Sequence, residues 1–150
     1  WVPEPWATML VEELGGVRLF DENEFWPENQ FSSVLLIGRS DYIEKNPEII
    51  KKWINANEKT AQWINNHPDE SKKLYNEFLN SYMGRTLPQN IVEKSFSNII
   101  ITSEPLENSV YTFAERADAL GYLGRDGYTL DGIFYHENIS VTSNEENHNG

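Results

Sequence analysis

The sequence predicts an α/β unit with many helices and few strands, and three observations lead there. Apolar residues recur at helical spacing along most of the chain, from Trp6, Met9, Leu10 and Leu14 to Leu106, Val110, Phe113, Ala117 and Leu120. One continuous apolar run, Val34-Leu35-Leu36-Ile37, has the pattern of a strand buried on both faces. Helix punctuation is frequent, with Gly15-Gly16 and Gly84 as stops and Pro47, Pro68 and Pro88 at starts. A hydrophobic fraction of 39% in 150 residues fits one domain with a real core.

The charge balance narrows the partners. Lys and Arg total 12 against 24 Asp and Glu, a net charge of −12. Nucleic-acid binding would need a basic stripe to displace counterions, and adsorption to an anionic membrane surface is disfavoured for the same reason. The absence of cysteine excludes disulfides, thiol nucleophiles and zinc–thiolate sites. No apolar run approaches the roughly 20 residues that span a bilayer. The chain carries no export signal and does not begin with Met, which suggests a processed product or a fragment.

Trp1-Val2-Pro3-Glu4-Pro5-Trp6-Ala7-Thr8 opens the chain with one carboxylate between two prolines and an indole on each side. Pro3 biases Val2 toward extended backbone, and Pro5 suits a helix start, so a strand is expected to turn into a helix there. Glu4 at that turn would be favoured by the positive helix N-terminus. The helix from Pro5 stops at Gly15-Gly16, and Val17–Phe20 is expected as a short strand. Residues 21–30 hold Asp21, Glu22, Glu24 and Glu28 with Phe25, Trp26 and Pro27, a surface loop with an aromatic plug. Those acids lack calcium-loop spacing and fit a solvated face.

Phe31–Gly38 is the strongest strand expectation. Ser40 then opens a short helix through Ile43, and Asn46-Pro47-Glu48 opens a long one over 47–65, with Ile50, Trp53, Ile54, Ala61 and Ile64 on one stripe. His67-Pro68 breaks it, and a helix over 68–83 places Leu74, Tyr75, Phe78 and Tyr82 inward. Pro88 opens a fourth major helix with Ile91, Val92 and Phe96 as its apolar set. Ile99–Thr102 is expected as a strand or extended link, and Ser103 as the cap of a last helix. Gly121, Gly124 and Gly127 lack the Lys-Ser/Thr pair of a phosphate loop. Leu130, Ile133 and Phe134 form a last apolar patch before the polar residues 140–150, expected to be disordered.

No catalytic constellation emerges. His67 precedes a helix-breaking proline, His136 has only Glu137 beside it, and His148 lies in the tail. Paired carboxylates for glycoside hydrolysis would be decided by their separation, which spacing in sequence does not fix. We expect neither an enzyme nor a bound metal or cofactor.

Several segments together resemble a known family. They are Val2–Thr8, the helix ending in Gly15-Gly16, Val34–Ile37 followed by Ser40–Pro47, Trp63–Glu70, Phe113–Ala117 and the Gly121-to-Phe134 close. From Trp1 to about Ile139 the chain is similar to the solute-binding components of ABC importers, above all the aliphatic-sulfonate, taurine and nitrate group, which in turn resembles binders of thiamine-pyrimidine precursors. The resemblance implies a type 2, two-lobed periplasmic-binding-protein-like fold that closes on a small ligand at a hinge. Residues 1–139 would then be its C-terminal portion, mostly first-lobe elements. It also implies extracytoplasmic capture of a small organic anion, periplasmic or tethered to the outer face of the cytoplasmic membrane, and delivery to an ABC permease.

Under that resemblance Trp1, Glu4, Pro5 and Trp6 are the expected ligand-binding residues. Ligands in open α/β sheets sit beyond the carboxyl ends of strands. Glu4 would serve a cationic or donor part of the ligand, and backbone N–H groups elsewhere the anion. Self-association of the isolated fragment through an exposed sheet edge is left open by the sequence. A pyrimidine-precursor enzyme and a helical interaction module remain open from another class.

Overall fold

A computed structural model describes residues 1–124 and 127–136. The expected tail at 140–150, His148 and Glu137 lie outside them. Among the described residues six α-helices follow one another: α1 (Trp6–Leu14), α2 (Ser40–Lys45), α3 (Pro47–Asn66), α4 (Pro68–Met83), α5 (Gln89–Ser97) and α6 (Glu107–Ala119). Two short 3₁₀ turns, Glu22–Phe25 and Pro27–Asn29, occupy the acidic loop.

The helix boundaries follow from local chemistry. α1 stops where Gly15 takes φ +69°, and the Gly16 N–H then donates to the Leu10 carbonyl at 2.9 Å. A Cβ on Gly16 would sit 2.9 Å from that same oxygen, so both glycines are needed for the closure. Pro47 and Pro68 stand in the first turns of α3 and α4, where a missing N–H costs nothing. Between these helices the His67 ring stacks on Trp63, with centroids 4.9 Å apart.

The core is small and lies where α1, α4 and α5 meet. Leu87, Ile91 and Val92 are buried, and Met9, Tyr75, Leu79 and Phe96 pack against them. Tyr75 and Phe96 meet edge to face at 5.4 Å. Asn76 braces the incoming loop as a surrogate peptide group. Its Oδ1 accepts the Leu87 N–H at 2.7 Å, and its Nδ2 donates to the Leu87 carbonyl at 2.8 Å. This satisfies both backbone groups of a residue that is itself buried.

A second cluster ties the acidic loop to α6. Trp26 lies 4.7 Å from Phe31 and stacks on Phe113 at 5.9 Å, while the Arg116 guanidinium sits 4.6 Å above its ring. Arg116 also donates to the Phe25 carbonyl at 2.7 Å. Ser32 completes the latch: its N–H donates to Ser109 Oγ at 3.2 Å and its hydroxyl to the Pro105 carbonyl at 2.7 Å. The expected aromatic plug of the loop is therefore Trp26.

Three expectations need correction. Among the described residues no strand forms, and Val17–Phe20, Phe31–Gly38 and Ile99–Thr102 run without a ladder. Val34 and Ile37, expected inside, are 90% and 89% exposed. A strand is stabilised by its cross-strand neighbours, and none of these segments meets another. On α4 the inward row is Tyr75 and Leu79, whereas Leu74, Phe78 and Tyr82 form the adjacent i, i+4 row facing out. The last helix begins at Glu107 rather than at Ser103, because Leu106 adopts a left-handed φ of +53° and turns the chain first. Its buried positions are then Ser109 and Ala114, with Phe113 and Leu120 exposed.

Ile91 is wholly buried at the centre of the core where α1, α4 and α5 meet, so Ile91→Ala is expected to lower unfolding stability by about 3 kcal/mol. Urea unfolding followed by far-ultraviolet circular dichroism measures this; a loss under about 1 kcal/mol would place the core elsewhere.

Candidate functional site

The opening corner forms as a tight knot of polar contacts around Glu4. Its side chain is only 10% exposed. Oε2 accepts the Thr8 N–H at 3.1 Å, which caps the first turn of α1. Oε1 accepts Arg18 Nη2 at 2.7 Å and Asn98 Nδ2 at 2.8 Å. The other arm of Arg18 reaches Asp21, and Asn98 also approaches Thr8 Oγ1 at 3.4 Å. One carboxylate thus joins the start of α1, the 17–21 segment and the end of α5.

Electrostatics keep that carboxylate charged. Burial raises its pKa, but the hydrogen bonds from Arg18, Thr8 and Asn98 outweigh this and hold it below 4.5. Arg18 in turn is held more firmly protonated by Glu4 and Asp21. Arg18, Asn98 and both the backbone N–H and the side chain of Thr8 serve the carboxylate, so its acceptor positions are met within the chain.

The two indoles have ring partners of their own. Trp1 is 87% exposed and turns its ring toward Phe31, 6.4 Å away, so it extends the Trp26 cluster. Trp6 is 40% exposed, and the Arg85 guanidinium lies 5.9 Å from its ring. Pro5 is half-buried and precedes α1 directly. Arg18 and Asn98 were not singled out in the sequence. They lie 14 and 94 positions from Glu4, and no periodicity links residues at such distances.

Two concavities lie away from this corner. A crevice of about 420 Å³ runs between the α3–α4 junction, α5 and the 99–101 segment, with Ile64, Phe96, Ile100 and Ile101 as apolar wall and Lys72 and Glu93 as polar members. A smaller hollow of about 120 Å³ sits at the start of α6 beside Glu28 and Leu106. Neither includes Trp1, Glu4, Pro5 or Trp6. Among the described residues no group of three or more His, Asp or Glu could hold a metal ion. His136 does acquire a partner, Glu107, at 3.2 Å, which pins the 127–136 segment to α6 and brings no nucleophile with it.

Comparison with known proteins places the corner inside a recognisable unit. Residues 1–78 match the model of a family described as the NMT1-like family. No curated protein and no solved structure matches the chain.

Because the folded pKa of Glu4 lies below 4.5, its contribution is present above pH 4.5 and fades as pH falls through the lower folded value. Glu4→Gln is therefore expected to cost roughly 1 kcal/mol at pH 7, after allowance for partial exposure, and progressively less in acid. Urea midpoints of both proteins at pH 7 and pH 3.5 provide the measurement. An equal deficit at both values would show that the charge is not what matters.

Proposed function

The chain belongs to the NMT1-like family, and from that premise we propose that it is a non-enzymatic solute-binding protein. Its ligand is a small organic anion, foremost an aliphatic sulfonate or a taurine-like compound, handed to an ABC permease outside the cytoplasmic membrane. The family match over residues 1–78, which begins at the Glu4 corner, is the observation that carries this reading.

Three features of the corner support it. α1, braced by Glu4, Arg18 and Asn98, gives a rigid edge, which lowers the ordering cost of capturing a ligand. Trp1 and Trp6 keep exposed indole surface beside that edge, available to cover an aliphatic or aromatic body. The Glu4 carboxylate, held ionised, suits the ammonium group of a taurine-like zwitterion. In this reading Trp1, Glu4, Pro5 and Trp6 form one wall of a cleft. The sulfonate is held by backbone N–H groups across it, and the ligand's preference for the closed arrangement draws two lobes together.

The two-lobed α/β fold belongs to the same proposal. Phe31–Gly38, apolar and outside every helix, is the chain's candidate for a sheet strand. A second ligand, a pyrimidine precursor of thiamine, is favoured by the exposed indoles, since flat heterocycles stack on them. Among the described residues no helix is long and apolar enough to cross a membrane.

Native mass spectrometry of the protein isolated from its own cells distinguishes these outcomes. A retained alkanesulfonate or taurine-like mass supports the leading reading, and a retained pyrimidine selects the second. Conversion of the retained compound to a product on incubation would overturn the binder.

A further inference from the structure

The acceptor positions of the Glu4 carboxylate are met by donors of the chain itself, so an arriving ammonium group has to take the place of one of them. The donors differ in how firmly each is held. The Thr8 N–H belongs to the first turn of α1 and cannot leave without unwinding it. Asn98 ends α5, and its own N–H donates to the Ser95 carbonyl at 3.1 Å. That bond fixes it to the helix that carries Ile91 and Val92 into the core.

Arg18 is held otherwise. It lies outside every helix, shortly after the Gly15-Gly16 stop. Among the described residues none from Val17 to Phe20 makes a backbone hydrogen bond. Val17 and Leu19 are exposed, and Phe20 rests on Phe25 further along the same loop. The Arg18 side chain is 34% exposed where that of Glu4 is 10%, so the guanidinium is the partner more open to solvent. It is also the one donor of the three with a second anion in hand. Nη1 donates to Asp21 Oδ1 while Nη2 donates to Glu4 Oε1 at 2.7 Å. Leaving Glu4 therefore does not strand the guanidinium.

We propose that Arg18 is a built-in surrogate for the ligand's cationic group, holding the Glu4 carboxylate until an ammonium group displaces it onto Asp21. This role rests on the zwitterion reading of the proposed function and assigns the residue that sets its selectivity. Glu4 Oε1 exchanges one cationic donor for another, so the carboxylate is never left unpaired. Thr8 and Asn98 stay in place, and α1 keeps its cap throughout. An anion without an amine offers Glu4 no donor and leaves Arg18 where it is.

Two consequences separate a surrogate from a brace. Without Arg18 the carboxylate is free for the ligand, whereas a lost brace would loosen the site. Without Asp21 the guanidinium has Glu4 alone, so displacement strands it and the ligand binds less well. The two substitutions thus act in opposite directions on a surrogate and in the same direction on a brace.

Isothermal titration calorimetry of the full chain with taurine, and with ethanesulfonate, which lacks only the amine, reads both. Arg18→Gln is expected to tighten taurine about fivefold, the weight of one partly exposed ion pair. Arg18→Lys, which keeps the charge but loses the fork that spans Glu4 and Asp21, is expected to tighten it less and stands in should the Gln variant not fold. Asp21→Asn, which keeps a capping side chain at that turn, is expected to weaken taurine by a similar factor. Weaker taurine binding in all three variants, no change in any, or an equal gain for ethanesulfonate overturns the surrogate. In those cases taurine binding by the unaltered chain leaves the solute-binding reading standing. Taurine bound by neither the unaltered chain nor the Arg18 variants overturns the surrogate and the zwitterion reading together.

Discussion

The carboxylate of Glu4 holds together pieces of chain that have little other reason to meet. α1 and α5 share the core around Ile91, but the 17–21 segment contributes nothing to it, and the end of α5 lies beyond it. Glu4 reaches both through Arg18 and Asn98 while capping α1 through Thr8. Hydrogen bonds to a charged group are worth about 1.5–3 kcal/mol each when well shielded, and less when water reaches them. At 10% exposure Glu4 is near the shielded end, whereas Arg18 at 34% is not. The direction of the α1 entry therefore depends on one ionised group more than on apolar packing.

That dependence reflects how little apolar packing there is. Ile91 is the largest fully buried side chain, and the second cluster is built on Trp26, whose polar tip still bonds to Glu22 at 2.8 Å. Where burial is thin, directional contacts set geometry. Asn76 against the Leu87 backbone, Ser32 against α6 and Arg116 against Phe25 each connect elements distant in sequence. The consequence for the corner is a rigid edge standing next to exposed aromatic surface. A binding wall needs that combination: fixed polar groups for orientation and apolar area for affinity.

The helices were legible in the sequence because their signals are local. Gly15-Gly16, Gly84, Pro47 and Pro68 act within a few residues of themselves, and α1, α3 and α4 begin or end at them. An aromatic plug could be read from Phe25, Trp26 and Pro27 in the acidic loop, but composition did not choose Trp26 among them. Long-range facts were not legible. Nothing in spacing joins Glu4 to Asn98, and an apolar run such as Val34–Ile37 announces a wish for burial without supplying what buries it. α4 shows the limit within a helix: Leu74, Phe78 and Tyr82 are as apolar as Tyr75 and Leu79, so composition could not choose between adjacent rows. The left-handed turn at Leu106 was hidden for another reason, since the conformation favours glycine and leucine gives no hint of it.

Charge sharpens which ligand the corner suits. A net charge of −12 repels anions at long range, but in physiological salt that repulsion decays over about 8 Å, so local groups decide. Locally, the N-terminus of α1 already faces the Glu4 carboxylate, and the Arg18 guanidinium is shared between Glu4 and Asp21. Neither cation-like feature is free to hold a sulfonate. A simple anion such as nitrate would meet only an acceptor here and gain nothing from the corner. Under the proposed function a zwitterion would bring its ammonium end to Glu4 and leave its sulfonate for donors on the opposite side of the cleft, so the corner would both favour binding and orient the ligand. Within the proposed function, a taurine-like compound is thus a better fit to this wall than an alkanesulfonate without an amine.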